Sequence, residues 1–141
     1  MMLSRVVPAL MALALLVVSC AAPAESAPGG SQVVAELFDN KITVNVPSMK
    51  AGMIKIGVRN LGTMQHSFEV LKTDLAPDNL PVDGASAKAK EDGKVGEIKS
   101  IAAGKSASVT VDLTPGKYVF ICNIAGHYQL GMRTGFTVEA P

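Results

Sequence analysis

Residues 114–136 read TPGKYVFICNIAGHYQLGMRTGF. A Thr114-Pro115-Gly116 turn signal leads into a short apolar run, Tyr118-Val119-Phe120-Ile121, that closes on Cys122. A run of this length bounded by Pro and Gly predicts a buried strand rather than a helix. Beyond it come Cys122, His127 and Met132, with four residues between each neighbouring pair. Gly126 precedes His127 and Gly131 precedes Met132, so the backbone is free to bend sharply just before each of them. The stretch therefore predicts a strand and a following loop that carries three side chains with metal-donor atoms.

Outward from this stretch, the hydrophobic period is two. Ile42, Val44 and Val46 alternate with polar neighbours, as do Ile54, Ile56 and Val58, and Val109, Val111 and Leu113. Alternation of this kind marks half-buried strands. Further strands are expected over 33–38, 66–71, 96–101, 117–122 and 135–139, with turns at Asp39-Asn40, Pro47-Ser48, Asn60-Leu61-Gly62 and Ala103-Gly104. Seven or eight short strands predict an all-β sandwich. Residues 73–93 interrupt the pattern with Pro77, Pro81, Asp83 and Gly84 before ASAKAKED, and are expected to form an insertion of loop with a short helix over 85–92.

The chain has 141 residues, 48% of them hydrophobic, which is enough for one domain with one core. A formal net charge of +1 gives no reason to expect nucleic acid as a partner, and the lysines near Lys88, Lys90 and Lys94 are interleaved with Glu91, Asp92 and Glu97. Residues 1–20 carry Arg5 and an apolar run over 6–18, which reads as an export signal. The tail Val17-Val18-Ser19-Cys20 is similar to the lipobox of bacterial lipoproteins, in which the cysteine is lipidated; Ala22-Pro23-Ala24 offers ordinary signal cleavage as the alternative. A lipid at Cys20 would hold the protein on the extracytoplasmic face of a membrane, and cleavage would leave it soluble and exported. Residues 21–32 are small, Pro-rich and Gly-rich, and are expected to be a flexible linker reaching at most about 40 Å. The folded domain is expected over 33–141.

With Cys20 in the signal region, Cys122 has no disulfide partner, and metal ligation is a use for a lone thiol in an oxidising compartment. The chain has one other histidine, His66. Taken singly, His66 reads as a partly buried polar residue, Cys122 as a small buried hydrophobe and Met132 as core filler. Taken together, thiolate, thioether and two imidazoles are the donors of blue-copper electron-transfer sites. Zinc also accepts two His and one Cys, but a structural zinc site has no use for a methionine. Two histidines in total leave none for a second, catalytic copper or a Ser-His-Asp triad, so the chain is not expected to be an enzyme.

The stretches NLGTMQHSF (60–68), TPGKYVFIC (114–122) and the loop that follows resemble the cupredoxins, the plastocyanin and azurin group of type 1 blue copper proteins. The four-and-four spacing is similar to that of sulfocyanin-like and auracyanin-like members. The resemblance implies a Greek-key β-sandwich, one copper held by His66, Cys122, His127 and Met132, and one-electron transfer between redox proteins; the chain is expected to be a monomer. Many cupredoxins have Asn after the first histidine; here Ser67 stands there, and Ser67 and Asn123 are the candidates for hydrogen bonding around the site. The family also implies that the His127 edge lies near the surface among Ile124, Ala125, Tyr128 and Leu130, with Met53 and Met64 at the rim, where redox partners dock. The competing function is copper storage or delivery to an oxidase.

Overall fold

A computed structural model describes residues 24–141; the export signal and Cys20 lie outside the described residues. Eleven strands follow in order: β1 (Val33–Phe38), β2 (Lys41–Val44), β3 (Ser48–Lys50), β4 (Gly52–Asn60), β5 (His66–Lys72), β6 (Val82–Asp83), β7 (Lys88–Ala89), β8 (Lys94–Ile101), β9 (Ser106–Leu113), β10 (Gly116–Ile121) and β11 (Arg133–Glu139). Eight have four residues or more, in keeping with the periodicity; β3, β6 and β7 are short additions.

The strands form two sheets, β2-β1-β4-β9 and β3-β11-β10-β5-β8, and a separate β6-β7 pair. Neighbours are mostly not consecutive in the chain, because the polypeptide crosses between the layers as in a Greek-key sandwich. Most pairs are antiparallel, but β1 runs parallel to β4 and β3 parallel to β11.

The core lies between the two sheets. Val33, Ala35 and Leu37 of β1 and Ile54, Ile56 and Val58 of β4 point into it from one side. Phe68, Val70, Phe120, Phe136 and Val138 meet them from the other, with Phe120 stacked on Phe136 at 5.0 Å and tilted against Phe68 at 5.2 Å. Each fully buried Val, Leu, Ile or Phe among them contributes about 1.5–3 kcal/mol of transfer free energy.

The apolar run over 118–121 has no alternation because β10 is covered on both faces. Its outer side, Val119 and Ile121, packs with Leu71, Leu80, Ala89 and Tyr128 in a second cluster. Leu80 and Ala89 come from residues 73–93, so this insertion is a cover for the outer face of the sheet.

The helix expected over 85–92 is not formed. Asp83 Oδ1 instead accepts the Ala85 N–H at 2.8 Å, the Ala87 N–H bonds back to Asp83 O at 2.8 Å, and Val82 pairs with Ala89. Asp-Gly turn chemistry thus prevails over the helix-favouring composition of the residues that follow. Within the stretch expected to be a linker, residues 25–32 run against the domain: Glu25 N bonds to Gly104 O, Lys105 Nζ donates to Glu25 Oε1 at 2.9 Å, and Gln32 N bonds to Lys55 O.

Candidate metal centre

Strand direction brings the donors to one end of the sandwich. β10 lies antiparallel to both β5 and β11, so the start of β5, the end of β10 and the start of β11 coincide. His66 opens β5; Cys122 directly follows β10, and Met132 directly precedes β11. The β10–β11 ladder continues one step beyond its last pair, with the Cys122 N–H donating to Met132 O at 3.1 Å. Residues 123–131 are thus the connection of a hairpin whose two stems end in Cys and Met. Turn hydrogen bonds tie this connection together: His127 N to Ile124 O at 2.9 Å, Leu130 N to Gly126 O at 3.1 Å, and Met132 N to His127 O at 3.1 Å. Gly126 and Gly131 take φ of 83° and 115°, the left-handed region that side chains avoid.

Cys122 Sγ lies 3.8 Å from His66 Nδ1 and 3.6 Å from His127 Nδ1, and the two Nδ1 atoms are 3.2 Å apart. A point equidistant from the three corners of that triangle is about 2 Å from each, near the bond lengths of imidazole and thiolate to a first-row metal. His66, Cys122 and Met132 are fully buried, whereas His127 is half-buried. Burial first, and then the neighbouring His66, push the His127 pKa down, which favours the neutral ring that a metal ligand must present. Among the described residues His66, Cys122 and His127 form the one group of His, Cys or acidic side chains whose donor atoms converge within 4.8 Å. Met132 shares a core cluster with Cys122 and completes the expected quartet. A soft thiolate, two imidazoles and a thioether fit one type 1 copper.

Of the two residues expected to bond around the site, Ser67 touches the cysteine sulfur, and Asn123 reaches the site only through its backbone N–H on Ser67. The Ser67 N–H donates to Cys122 Sγ at 3.3 Å; its hydroxyl lies 3.7 Å from the same sulfur and accepts the Asn123 N–H at 2.9 Å. Ser67 therefore joins the His-bearing strand to the ligand loop through one oxygen. Asn123 turns its amide away from the sulfur, to Ala89 N, Ala89 O and Glu91 Oε1, all at 2.9 Å.

The insertion over 73–93 thus braces the ligand loop. Ala87, the one described non-glycine residue with positive φ (52°), accepts the Gly126 N–H at 2.8 Å through its carbonyl. The Tyr128 hydroxyl donates to Pro77 O at 2.8 Å and accepts the Leu80 N–H at 2.9 Å. That placement corrects the expectation for Tyr128: its side chain is buried under the insertion and does not face a partner. Ile124 is partly buried against the core. Ala125 and Leu130 are exposed, as expected for a contact face, and Met64 next to the His66 strand is exposed as well. Met53 sits at the opposite end of β4 from Asn60, on the order of 20 Å away along the strand, and so does not join that rim.

Two acidic residues near the site were not expected. Asp39 Oδ1 lies 3.1 Å from His66 Nε2, across 27 residues of sequence. The Thr63 hydroxyl, the foremost of its donors, holds the Asp39 carboxyl below its ordinary range. Nothing local distinguishes Asp39 in sequence from any aspartate in a turn. Glu69, on β5, is buried with Oε2 unpaired; burial first, and then the Glu91 carboxylate, push its pKa up to about 7.

A family model described as a cupredoxin-like domain matches residues 9–133. No curated protein matches the chain. Among solved structures, it is similar to dithionite-reduced auracyanin from the photosynthetic bacterium Roseiflexus castenholzii (22% identity, TM-score 0.52, covering 78% of this chain and 99% of that one). It is similar to rusticyanin from Thiobacillus ferrooxidans (21% identity, TM-score 0.52, 76% and 75%). It is also similar to auracyanin A, a "blue" copper protein from the green thermophilic photosynthetic bacterium Chloroflexus aurantiacus (18% identity, TM-score 0.51, 75% and 98%). At these identities the structural likeness speaks for the fold alone.

Proposed function

The chain belongs to the cupredoxin-like domain family, and from that premise we propose that it is a one-electron carrier that takes an electron from one redox protein and passes it to another. The observation that carries this reading is the convergence of His66 Nδ1, His127 Nδ1 and Cys122 Sγ within 3.8 Å of one another, beside a buried Met132. A bound copper ion would supply the Cu(II)/Cu(I) couple. The residues supply a rigid frame: two strands fix His66 and Cys122, and the braced loop fixes His127 and Met132. A frame that does not move when the electron arrives keeps the cost of reorganisation low.

His127 is the half-buried member of the ligand set, and Ala125 and Leu130 on its loop and Met64 two residues before His66 are exposed, which we read as an apolar docking patch. Weak electron-transfer encounters bury little area and separate quickly, which suits such a patch. The buried ligands disfavour copper delivery, which calls for accessible donors. The sequence pattern of residues 1–20 supports export, with Cys20 as the site of a lipid anchor and the residues before Glu25 as the tether. We place the protein on the extracytoplasmic face of a bacterial membrane, as a monomer whose partners are membrane-bound or exported redox proteins.

Titrating the chain lacking residues 1–20 with Cu(II) tests the reading. One equivalent should give an intense blue colour that bleaches on reduction and returns on oxidation through many cycles. A colourless complex, or copper surrendered on reduction, would overturn it. The mass of the mature N-terminus decides whether Cys20 carries lipid.

A further inference from the structure

We infer that the Asp39 carboxylate is a positioning residue for the metal centre: it fixes the tautomer and orientation of His66 and places a negative charge behind that ring. This rests on the copper reading above and adds to it a residue outside the ligand quartet.

The imidazole of His66 has two nitrogens with different surroundings. Nδ1 faces Cys122 Sγ and His127 Nδ1, while Nε2 faces Asp39 Oδ1 at 3.1 Å. A carboxylate only accepts, so the neutral ring carries its proton on Nε2 and leaves the Nδ1 lone pair directed at the other donors. His66 is fully buried, and Asp39 is its one partner on that side.

The carboxylate is itself held in place. Oδ2 accepts the Thr63 hydroxyl at 2.8 Å and the Thr63 N–H at 3.1 Å, and Oδ1 accepts the Thr63 N–H at 2.9 Å and the Met64 N–H at 3.3 Å. These donors precede His66 by two and three residues, so the turn that delivers the histidine also grips its partner. That turn is anchored by Leu61 N on Leu37 O at 2.8 Å and by Asn60 Nδ2 on Met64 O at 2.8 Å and Ile101 O at 2.9 Å.

Space has been left for the contact. A Cβ added to Gly62 would collide with Asp39 Oδ1 and come within 2.8 Å of His66 Nε2. Gly62 has no positive φ that demands glycine, so the close approach of the carboxylate and the ring accounts for its missing side chain. A fixed negative charge beside a ligand favours the more positive oxidation state of the bound ion, and so lowers the reduction potential.

The test uses the full chain, native and carrying Asp39→Asn or Asp39→Ala. The Asn amide oxygen still accepts from Nε2 but brings no charge; Ala removes both. In the copper-loaded protein, Asp39→Asn should keep the blue colour and shift the reduction potential upward. In metal-free protein labelled with ¹⁵N at histidine, native His66 should show a single Nε2–H tautomer with a slowly exchanging proton. Asp39→Ala should speed that exchange and bring in the Nδ1–H form, with copper affinity falling roughly 10- to 100-fold. A potential unmoved in Asp39→Asn, or an unchanged tautomer and exchange rate in Asp39→Ala, would overturn the inference. Should the Ala variant fail to fold, the potential of the Asn variant decides. A native protein that takes no blue copper would instead defeat the copper reading, while the metal-free spectra would still report on Asp39.

Discussion

The metal centre has a local half and a remote half, built by different means. The local half is the eleven-residue stretch from Cys122 to Met132, in which spacing, two left-handed glycines and turn hydrogen bonds set the geometry within one loop. The remote half is His66 with Asp39 and Gly62, and it reaches Cys122 across 56 residues only because β5 pairs with β10. Sequence spacing thus describes a site where the chain is contiguous, whereas sheet register supplies the rest. The two halves meet at Ser67, which bonds to the sulfur and to the Asn123 N–H.

Removing the thiolate should have the largest effect. Cys122→Ser should abolish the blue absorption entirely, since that absorption belongs to the sulfur–copper bond, while near-native circular dichroism shows the sandwich intact. In the remote half, Gly62→Ala should force Asp39 and His66 apart. Copper affinity should fall about 10- to 100-fold, as for the loss of a ligand's hydrogen-bond partner, measured by competition with a chelator. If affinity in Gly62→Ala is native, the remote half is looser than its contacts imply.

Asn123→Ala probes the brace behind the local half. It leaves Ala89 N–H and C=O unpaired in a buried position, at a cost of about 1–3 kcal/mol read from denaturant melts. The smallest effect concerns pH. Glu69 has a folded pKa of about 7 against an unfolded value of 4.5, so the unfolded chain releases this proton first and stability falls as pH rises between those values. The loss should be on the order of 1–2 kcal/mol after allowance for solvent screening. Glu69→Gln should flatten that slope. The Glu91 carboxyl, held low chiefly by Lys94, acts below this window and with the opposite sign.

Much of this architecture was legible in the residues. Strands of the sandwich that bury one face announced themselves by period two, as in Ile54, Ile56 and Val58. The run over 118–121 was readable as a strand from its length and its flanking Pro-Gly, and its lack of alternation follows from the cover over its outer face. In that cover ASAKAKED suits a helix in isolation, and only the hydrogen bonds of Asp83 show that a hairpin wins. Adjacency to His127 suggests the contact face for Tyr128, yet neighbouring loop residues point in different directions, and its hydroxyl is satisfied by Pro77 and Leu80. Asp39 is invisible for a different reason: the backbone and side-chain donors that grip it lie 24 or more residues away, and no local pattern encodes that.

X-ray absorption at the copper edge of the Cu(II)-loaded protein tests whether Cys122 and the two histidines hold the ion. The spectrum should show two nitrogen neighbours and one sulfur at bonding distance of roughly 2.0–2.3 Å, with the second sulfur weaker and longer. A first shell of nitrogen and oxygen alone, with no short sulfur, would contradict it.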